Sequence, residues 1–308
     1  MKCSYCSEDS IVFLAYNGDN LCIEHFKTFF VKRVRKTISK AKLILPGDYI
    51  GIACSGGKDS TTLLLVLHEI YQTRKNFTFS VITIDEGILG YRPGEITFLK
   101  EIVEQTGFEH HILSFKKQFG MTLDEMLHKK KQKNEIYSPC AWCGVFRRQA
   151  LNLLAKEVGV NKVATGHNLD DEVQSYWMNS MRGDLKRMAR LGPMVGTAET
   201  ESLIPRIKPL RESSEKENAL YMMVHGLPCD HVQCPYYQEA FRNLARRQIN
   251  EAEEKHPGTK YNLLRTLDKM IPLLQDHDKG SLKSCERCGE ASVRKICKAC
   301  EFLDRLTN

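Results

Sequence analysis

Most of the twelve cysteines stand at metal-ligand spacing rather than in a disulfide framework. Two sets read C-x2-C-x15-C-x2-H and C-x2-C-x8-C-x2-C: Cys3, Cys6, Cys22 and His25 near the N-terminus, and Cys285, Cys288, Cys297 and Cys300 near the C-terminus. Each set matches a structural Zn²⁺ site, and we expect its ligand pairs on tight knuckle turns. Because four protein ligands leave no open coordination position, both sites are predicted to be structural rather than catalytic.

A glycine-rich loop, Ser55–Ser60, is expected to bind phosphate. It lies between a short apolar strand and a helix, so its glycines let backbone N–H groups face an anion at the positive end of the helix. Lys58 adds a cation. The loop is not a Walker A motif, because Ile52 and Asp59 stand where that motif requires glycine and serine or threonine. A plain glycine turn is the alternative interpretation.

A second polar motif, Gly166–Asp171, follows a later predicted strand. One interpretation is a helix start, with Asn168 as the N-cap and acidic residues in the first turn. However, ligands bind at the carboxyl ends of strands in open α/β sheets, and His167, Asp170 and Asp171 are placed there for chemistry as well.

Three central cysteines, Cys140, Cys143 and Cys234, have three interpretations. A redox C-x2-C pair requires a thioredoxin-like βαβ context that the sequence lacks. A third zinc site would need Cys229 or His231 as its fourth ligand. A [4Fe–4S] cluster normally takes four thiolates, so three would leave one iron open to bind an exogenous sulfide.

These residues require a scaffold that brings them together. Short apolar strands alternate with helical segments between the two cysteine-rich ends, which predicts an α/β fold with a doubly wound parallel sheet. The predicted strands are 49–54, 79–84, 110–115 and 162–165, and the predicted helices are 21–45, 60–71, 143–158 and a helical region at 212–276. The predicted domains are an N-terminal zinc finger at 1–28, the α/β domain at 29–277 and a C-terminal zinc ribbon at 278–308.

The composition favours an anionic partner and no membrane. No apolar run reaches about 18 residues and the N-terminus lacks the apolar core of a secretion signal, so a cytoplasmic location is expected. The net charge is +7, and the positive charge is clustered in four runs: Lys32, Arg33, Arg35, Lys36, Lys40 and Lys42; Lys129, Lys130, Lys131 and Lys133; Arg182, Lys186, Arg187 and Arg190; and Arg242, Arg246 and Arg247. Each run alone is typical of a solvated helix face, but four together favour a polyanion.

The motifs together resemble a known family. The glycine loop matches the PP-loop of the N-type ATP pyrophosphatases, and the second motif resembles that of PP-loop tRNA-modifying enzymes. With the flanking cysteine modules, the Cys140–Gly144 segment and the later Cys-Pro-Tyr, the whole chain resembles the TtuA and cytosolic tRNA 2-thiolation family. The run from Cys143 to Leu151 is closer to the wobble-uridine enzymes than to those that modify the T-loop.

The resemblance implies ligands for each motif. ATP, with Mg²⁺, would contact Ala53, Ser55, Gly56, Gly57, Lys58, Asp59, Ser60, Ile84 and Gly166. The [4Fe–4S] cluster would be held by Cys140, Cys143 and Cys234, with one Zn²⁺ in each terminal module. The implied catalytic residues are Lys58, Asp59, Arg147 and Asp171. Arginine stands at 147 where some relatives carry lysine, which keeps the charge but does not suit a general base.

A reaction and partners follow from the resemblance. ATP would adenylate O2 of a tRNA uridine, and sulfur carried by the cluster would displace AMP to give 2-thiouridine. The sulfur donor would be a thiocarboxylated ubiquitin-like protein or free sulfide, a homodimer would fit the family, and a persulfide on Cys54 or Cys229 is less favoured. The rivals are T-loop thiolation, another PP-loop enzyme such as a cytidine 2-thiolase or an amidating synthetase, and a non-enzymatic metalloprotein that binds nucleic acid or senses redox state.

Overall fold

The computed structural model describes residues 1–132, 137–196, 203–229, 233–236, 242–275 and 283–307. The strands in these ranges are β1 (Val12–Leu14), β2 (Asp19–Leu21), β3 (Tyr49–Ala53), β4 (Thr78–Asp85), β5 (Glu109–Ser114), β6 (Lys162–Thr165), β7 (Met194–Val195), β8 (Arg206–Ile207), β9 (Lys283–Ser284) and β10 (Ala291–Ser292). The helices are α1 (Ile23–Lys40), α2 (Lys58–Tyr71), α3 (Arg92–Thr106), α4 (Phe115–Phe119), α5 (Leu123–Gln132), α6 (Pro139–Val158), α7 (Leu169–Met181), α8 (Leu185–Ala189), α9 (Glu215–Val224), α10 (Arg242–Lys255), α11 (Thr259–Gln275) and α12 (Lys298–Thr307). Lys133, His231 and the predicted boundary at residue 278 lie outside the described residues.

The central sheet positions both polar motifs. Its strand order across the described residues is β5-β4-β3-β6-β8-β7, so the chain switches direction between β3 and β6. These two strands pair in parallel, and their carboxyl ends therefore lie side by side. Ligands bind at such a switch point in open α/β sheets. The glycine loop follows β3 and the second motif follows β6, so the crevice lies between them.

The predicted parallel sheet is confirmed for the central strands, with one correction at the edge. β7 runs antiparallel to β8, with Met194 opposite Ile207. This strand is two residues long. An alternation of apolar and polar residues needs about four residues to be recognisable, so the sequence carries no signal for it.

Helices cover both faces of the sheet, and each terminal module packs into the hydrophobic core on one of these faces. On one face, Phe30 of α1 stacks on Tyr221 of α9 with ring centroids 4.4 Å apart. On the other face, Trp142 of α6 stacks on Phe302 of α12 at 4.2 Å. The buried residues continue from these cores into both cysteine-rich ends. Since α1 is continuous across residue 28, the predicted first boundary falls inside a helix.

Two predicted helices have different bounds. The helix predicted to begin near Cys143 begins at Pro139, because Ser138 accepts a hydrogen bond from the N–H of Ala141 as the N-cap and proline fits the first helical position. The helix predicted for 21–45 covers only Ile23–Lys40. It ends before Lys42, whose φ of 49° is incompatible with a continuing right-handed helix.

The knuckle turns predicted for all ligand pairs are wrong for the second pair of each module. Cys22 is the N-cap of α1 and His25 lies within that helix, while Cys300 lies within α12. A helix start presents unpaired N–H groups, which suit thiolate ligands as well as a turn does. Within the described ranges, no helix is both long and apolar enough to cross a bilayer.

Candidate active site

The glycine loop forms an open cradle between β3 and α2. Gly56 has a φ of 89°, and a Cβ there would lie 2.6 Å from the Glu95 carbonyl oxygen, so only glycine fits. Ser55 N–H donates to Ser60 Oγ at 3.1 Å, and Ser60 Oγ donates to the Gly57 carbonyl at 2.9 Å. In the described part of the chain no side chain caps α2, whose first N–H groups therefore remain available to an anion.

Lys58 and Asp59 lie at the start of α2 in a network of charges. Lys58 Nζ donates to Asp59 at 3.0 Å and to Glu215 at 2.8 Å. Burial opposes its charge, but the two carboxylates hold the pKa of Lys58 above its ordinary value. Asn168 and Asn218 donate to Asp59 Oδ1 at 3.0 and 2.8 Å. Lys58 is therefore a cation, and Asp59 is held in one orientation.

The second motif packs directly against this loop. A Cβ at Gly166 would lie 2.9 Å from the backbone nitrogen of Ser60, so glycine permits the approach. Asn168 and Asp171 form a reciprocal capping box at the start of α7, which agrees with the helix-start interpretation. In addition to this capping interaction, the Asp171 carboxylate accepts a hydrogen bond from Arg242.

The two aspartates of this motif have different surroundings. Asp170 has a side chain 5% exposed and is paired with Lys260 at 2.5 Å. It also accepts from the N–H of Glu215 at 2.8 Å, so it fixes the second motif to α9 and α11. The Asp171 side chain is 29% exposed and forms its ion pair with Arg242 at the open side of the motif. Asp171 is thus the more accessible carboxylate.

Glu86 and Arg92 are site residues that the sequence analysis did not identify. Arg92 is 1% exposed and donates to the carbonyls of Ser55 and Ile84, both at 2.6 Å. Its Nε lies 2.7 Å from Glu86, and the other oxygen of Glu86 lies 3.7 Å from Arg147. Charged side chains therefore connect the glycine loop with Arg147. The one sequence signal for this pair is the position of Glu86 immediately after a buried strand.

The central cysteines lie around Arg147. Cys140 and Cys143 lie in the first turns of α6, and Cys140 Sγ is 3.6 Å from the carbonyl oxygen of Tyr236, two residues beyond Cys234. Burial raises the pKa of Cys143 to about 12, Arg147 acts in the opposite direction, and Cys234 and Cys140 add to the increase. The mutual effect of these thiols indicates that they are neighbours.

The spacing of the central thiols differs from that of a tetrahedral zinc site. Thiolates on one Zn²⁺ lie about 3.8 Å apart, given a Zn–S distance of about 2.3 Å. Among the described residues, Cys140, Cys143 and Cys234 do not come within 4.8 Å of one another as a group. All three are free of disulfides. A three-thiol set with wider spacing fits a cluster of several metal ions, whose thiolate ligands bind different irons.

The terminal modules do form compact sets. In each module the four ligand atoms lie within 4.8 Å of one another. His25 Nδ1 lies 3.2 Å from Cys22 Sγ, and Cys288 Sγ lies 3.6 Å from Cys297 Sγ. The N–H of Cys297 donates to Cys285 at 3.2 Å. This geometry fits one tetrahedral Zn²⁺ in each module.

The remaining cysteines and His167 are placed differently. Cys54 is buried beneath the glycine loop, where desolvation raises the pKa of its thiol, and Cys229 donates to the Ala219 carbonyl at 3.1 Å. His167 Nδ1 lies 2.8 Å from Thr165 Oγ1. The His167 side chain is exposed, and nearby protein and the charge of Lys208 lower its pKa.

Comparison with known proteins agrees with this arrangement. Residues 27–253 match the PP-loop domain family, and residues 2–27 match the N-terminal LIM domain of the 2-thiouridine synthetase TtuA. The chain is 34% identical to the tRNA 2-thiolation protein NcsA of Haloferax volcanii, over 99% of both chains. It is 36% identical to the cytoplasmic tRNA 2-thiolation protein 1 of Aspergillus niger, over 99% of this chain and 88% of that protein.

A solved structure of a relative is also similar throughout. The U34-tRNA thiolase NcsA from Methanococcus maripaludis, solved with its [4Fe–4S] cluster, superposes with a TM-score of 0.85 at 33% identity, and the match covers 99% of this chain and 96% of that one. The resemblance inferred from the motifs is confirmed, because the match extends through both cysteine modules and the α/β domain between them. The chain belongs to the tRNA 2-thiolation family of PP-loop proteins.

Proposed function

We propose that this chain is an ATP-dependent tRNA sulfurtransferase that converts the wobble uridine, U34, to 2-thiouridine. The observation that carries the proposal is the link between two chemically distinct sites. Glu86 and Arg92 connect the carbonyl of Ser55 in the phosphate loop with Arg147 beside the three central cysteines. A nucleotide-activating site and a sulfur-handling site must adjoin if one base is to meet both.

The first step is adenylation of the uridine. The O2 oxygen attacks the α-phosphorus of ATP and pyrophosphate leaves, which makes a poor leaving group at C2 a good one. Lys58 and the first N–H groups of α2 bind the departing pyrophosphate, since both carry positive charge toward it. Mg²⁺ would screen the phosphate charges when bound. Asp59 is held by Lys58 and two amides, which supports an orienting role, whereas Asp171 is the accessible carboxylate.

The second step replaces the activated oxygen with sulfur, and AMP leaves. Cys140, Cys143 and Cys234 would hold a [4Fe–4S] cluster, which supplies an iron site open to exogenous sulfur. Arg147 is 55% exposed and keeps its positive charge, and the neighbouring Cys143 and Glu86 raise its pKa further. It stabilises negative charge on the incoming sulfur and the departing phosphate, and it does not act as a base.

One Zn²⁺ in each terminal module stabilises the ends, so that the zinc finger at 1–28, the PP-loop domain at 29–277 and the zinc ribbon at 278–308 act as one unit. The tRNA binds through the basic runs, and the sulfur comes from a thiocarboxylated ubiquitin-like protein or from free sulfide. We place the reaction in the cytoplasm, in keeping with the Aspergillus niger relative's name. A homodimer stays a prediction, which light scattering would test.

The decisive experiment is mass spectrometry of nucleosides from unmodified tRNA. The tRNA is incubated without oxygen with cluster-reconstituted protein, ATP, Mg²⁺ and sulfide, and a parallel reaction omits ATP. We expect 2-thiouridine at position 34 only when ATP is present, with AMP and pyrophosphate in equal amounts. A thionucleoside in the T-loop would move the site of action, and absence of both the thionucleoside and AMP would overturn the proposed reaction.

A further inference from the structure

A cavity separate from the cleft lies between the N-terminal module, α1 and the start of α11. Its volume is about 450 Å³, and its lining includes Tyr16, Phe29, Arg33 and Tyr261. Pockets of about 300–1,000 Å³ hold ligands of nucleotide size. We call these four residues, with the cations Lys32, Lys36 and Arg265 at the edge, the aromatic groove.

Arg33 fixes the floor of the aromatic groove. Its guanidinium forms a 2.7 Å ion pair with Glu217, and the two side chains are only 10% and 4% exposed. It also donates to the hydroxyls of Tyr16 at 2.6 Å and Tyr261 at 2.7 Å. The two tyrosine rings are held with centroids 4.7 Å apart, and the guanidinium lies 4.4 Å from the Phe29 centroid. The aromatic surfaces are therefore preorganised, and the buried charge of Arg33 is satisfied.

The edge of the groove carries exposed positive charge. Lys32, Lys36 and Arg265 are exposed, and none of them forms an ion pair with a residue that the structure describes. Lys32 and Lys36 stand four positions apart on α1, about 6 Å along the helix axis. Lys40 continues this row beside a second cavity of about 270 Å³, which shares Glu212 with the first. Glu212 lies 4.0 Å from Lys40, so the row retains a net positive charge.

Preorganised rings beside unpaired cations suit unpaired nucleotides of RNA. A base exposed from its stack binds on an aromatic face, and its phosphates bind lysine and arginine. A duplex presents its phosphates on a convex surface and keeps its bases stacked inside, which does not match a concave site. We propose that the aromatic groove binds an unpaired nucleotide of the RNA substrate, with the base on Tyr16 and Tyr261 and the flanking phosphates on Lys32 and Lys36.

The groove lies on a different face of α9 and α11 from the cleft. Lys260 pairs with Asp170 of the second motif, whereas the next residue, Tyr261, contacts Arg33. Likewise, Glu215 forms an ion pair with Lys58 at the cleft, whereas Glu217 on the same helix forms an ion pair with Arg33 in the groove. The nucleotide in the groove is therefore not the uridine that reacts. The proposal depends on the proposed function only for the identity of the RNA as tRNA.

The first test measures binding of unmodified tRNA to the full-length protein over a range of salt concentrations. The double variant K32E/K36E is compared with K75E/K100E, which makes the same charge change at exposed sites outside the groove. We expect Kd to rise at least about tenfold for K32E/K36E relative to this control. The slope of log K against log[salt] should also fall by about 1.4, or about 0.7 for each lost phosphate contact. Equal Kd values and slopes for the two variants would overturn the proposal.

The second test separates stacking from charge. Tyr16→Ala removes the ring, whereas Tyr16→Phe keeps the ring and removes only the hydroxyl contacts with Arg33 and Glu217. We expect about tenfold weaker binding of an unstructured RNA oligonucleotide for Tyr16→Ala and near-normal binding for Tyr16→Phe. Ultraviolet crosslinking followed by peptide mass spectrometry should find Tyr16 or Tyr261 attached to a base. Similar affinities for both variants, with no crosslink to either tyrosine, would contradict the stacking arrangement.

The outcomes also distinguish this proposal from the proposed reaction. Binding is measured with ATP omitted, so the phosphate loop is not involved in the result. RNA binding that depends on the groove, without 2-thiouridine formation, supports the groove and overturns only the reaction. 2-Thiouridine formation with unchanged RNA binding in both sets of variants overturns only the groove.

Discussion

Within the described residues, each terminal module gathers four ligand atoms within 4.8 Å, whereas Cys140, Cys143 and Cys234 beside the cleft form no such compact group. The terminal ligands come from short stretches of chain. Cys3 and His25 are 22 positions apart, and Cys285 and Cys297 are 12 apart. The central site instead joins Cys140 to the segment of Tyr236, 96 positions away. The terminal sites are therefore formed by residues close together in sequence, whereas the central site forms only when distant segments of the chain fold together.

We expect the terminal ligand sets to contribute stability and the central set to contribute reactivity. A closed four-ligand set satisfies its metal and stabilises the chain that surrounds it. The central set offers three thiols next to an exposed arginine and a phosphate loop, which is an arrangement open to a further ligand. We therefore expect the same residue type to have a structural role at the ends and a chemical role in the middle.

Of the substitutions that test this comparison, Cys234→Ser should have the largest effect. We expect 2-thiouridine formation to fall by about 10³-fold, equivalent to about 4 kcal/mol at the transition state. Iron content should drop while zinc content is retained, because only the central site loses a ligand. Cys229→Ser is the matched control and should keep both metals and activity. Full activity and iron in Cys234→Ser would show that this thiol is not part of the site.

Cys285→Ser should reduce stability more than chemistry. Loss of a structural metal ligand is expected to lower the free energy of unfolding by about 4 kcal/mol. The buried stack of Phe302 on Trp142 depends on the C-terminal module, so α6 should lose part of its support. Urea denaturation and zinc analysis measure these effects. Unchanged stability with lost thiolation would assign a direct role in the reaction to this module.

Glu86→Gln tests the connection between phosphate loop and cysteines. Removing this carboxylate leaves the buried guanidinium of Arg92 without its only described negatively charged partner, and we expect a loss of about 3 kcal/mol in stability. Because Arg92 also holds the carbonyl of Ser55, the KM for ATP should rise. Glu109→Gln, at an exposed position on β5, should change stability by less than about 0.5 kcal/mol. Equal effects of the two substitutions would argue against the connection.

The smallest expected effect is a dependence of folding stability on pH, which arises from His110 beneath the phosphate loop. Thr83 donates to the Cys54 carbonyl, so its oxygen accepts from His110 Nε2 at 2.9 Å. Burial and the charge of Lys100 lower the pKa of His110 from 6.5 to about 4. Between these values the unfolded chain binds more protons than the folded chain, so this contribution to stability is complete above pH 6.5 and is lost as the pH falls toward 4.

Urea denaturation at several pH values, with zinc content measured at each, would detect this contribution. His110→Gln should make the stability curve flatter between pH 6.5 and 4. An unchanged curve would mean that other groups account for any acid sensitivity in this range. Constant zinc content would separate the result from loss of the terminal metals.

Much of the fold and of the site could be predicted because the relevant signals are local. The glycine loop carries its own strand, turn and helix start within a few residues, and the terminal cysteine pairs lie close together along the chain. The sequence alone therefore determined the α/β class, the family, the phosphate loop and the two closed modules. It did not predict the antiparallel β7, which is too short to show a pattern.

Tertiary structure decided which residues surround these motifs. Arg92, Glu215, Asn218, Arg242 and Lys260 reach the phosphate loop and the second motif from separate helices. These contacts also distinguish the enclosed Asp170 from the accessible Asp171, although the two residues are adjacent in sequence. A charge acquires its partner and its degree of burial only when distant segments pack together, and spacing along the chain carries no record of that packing.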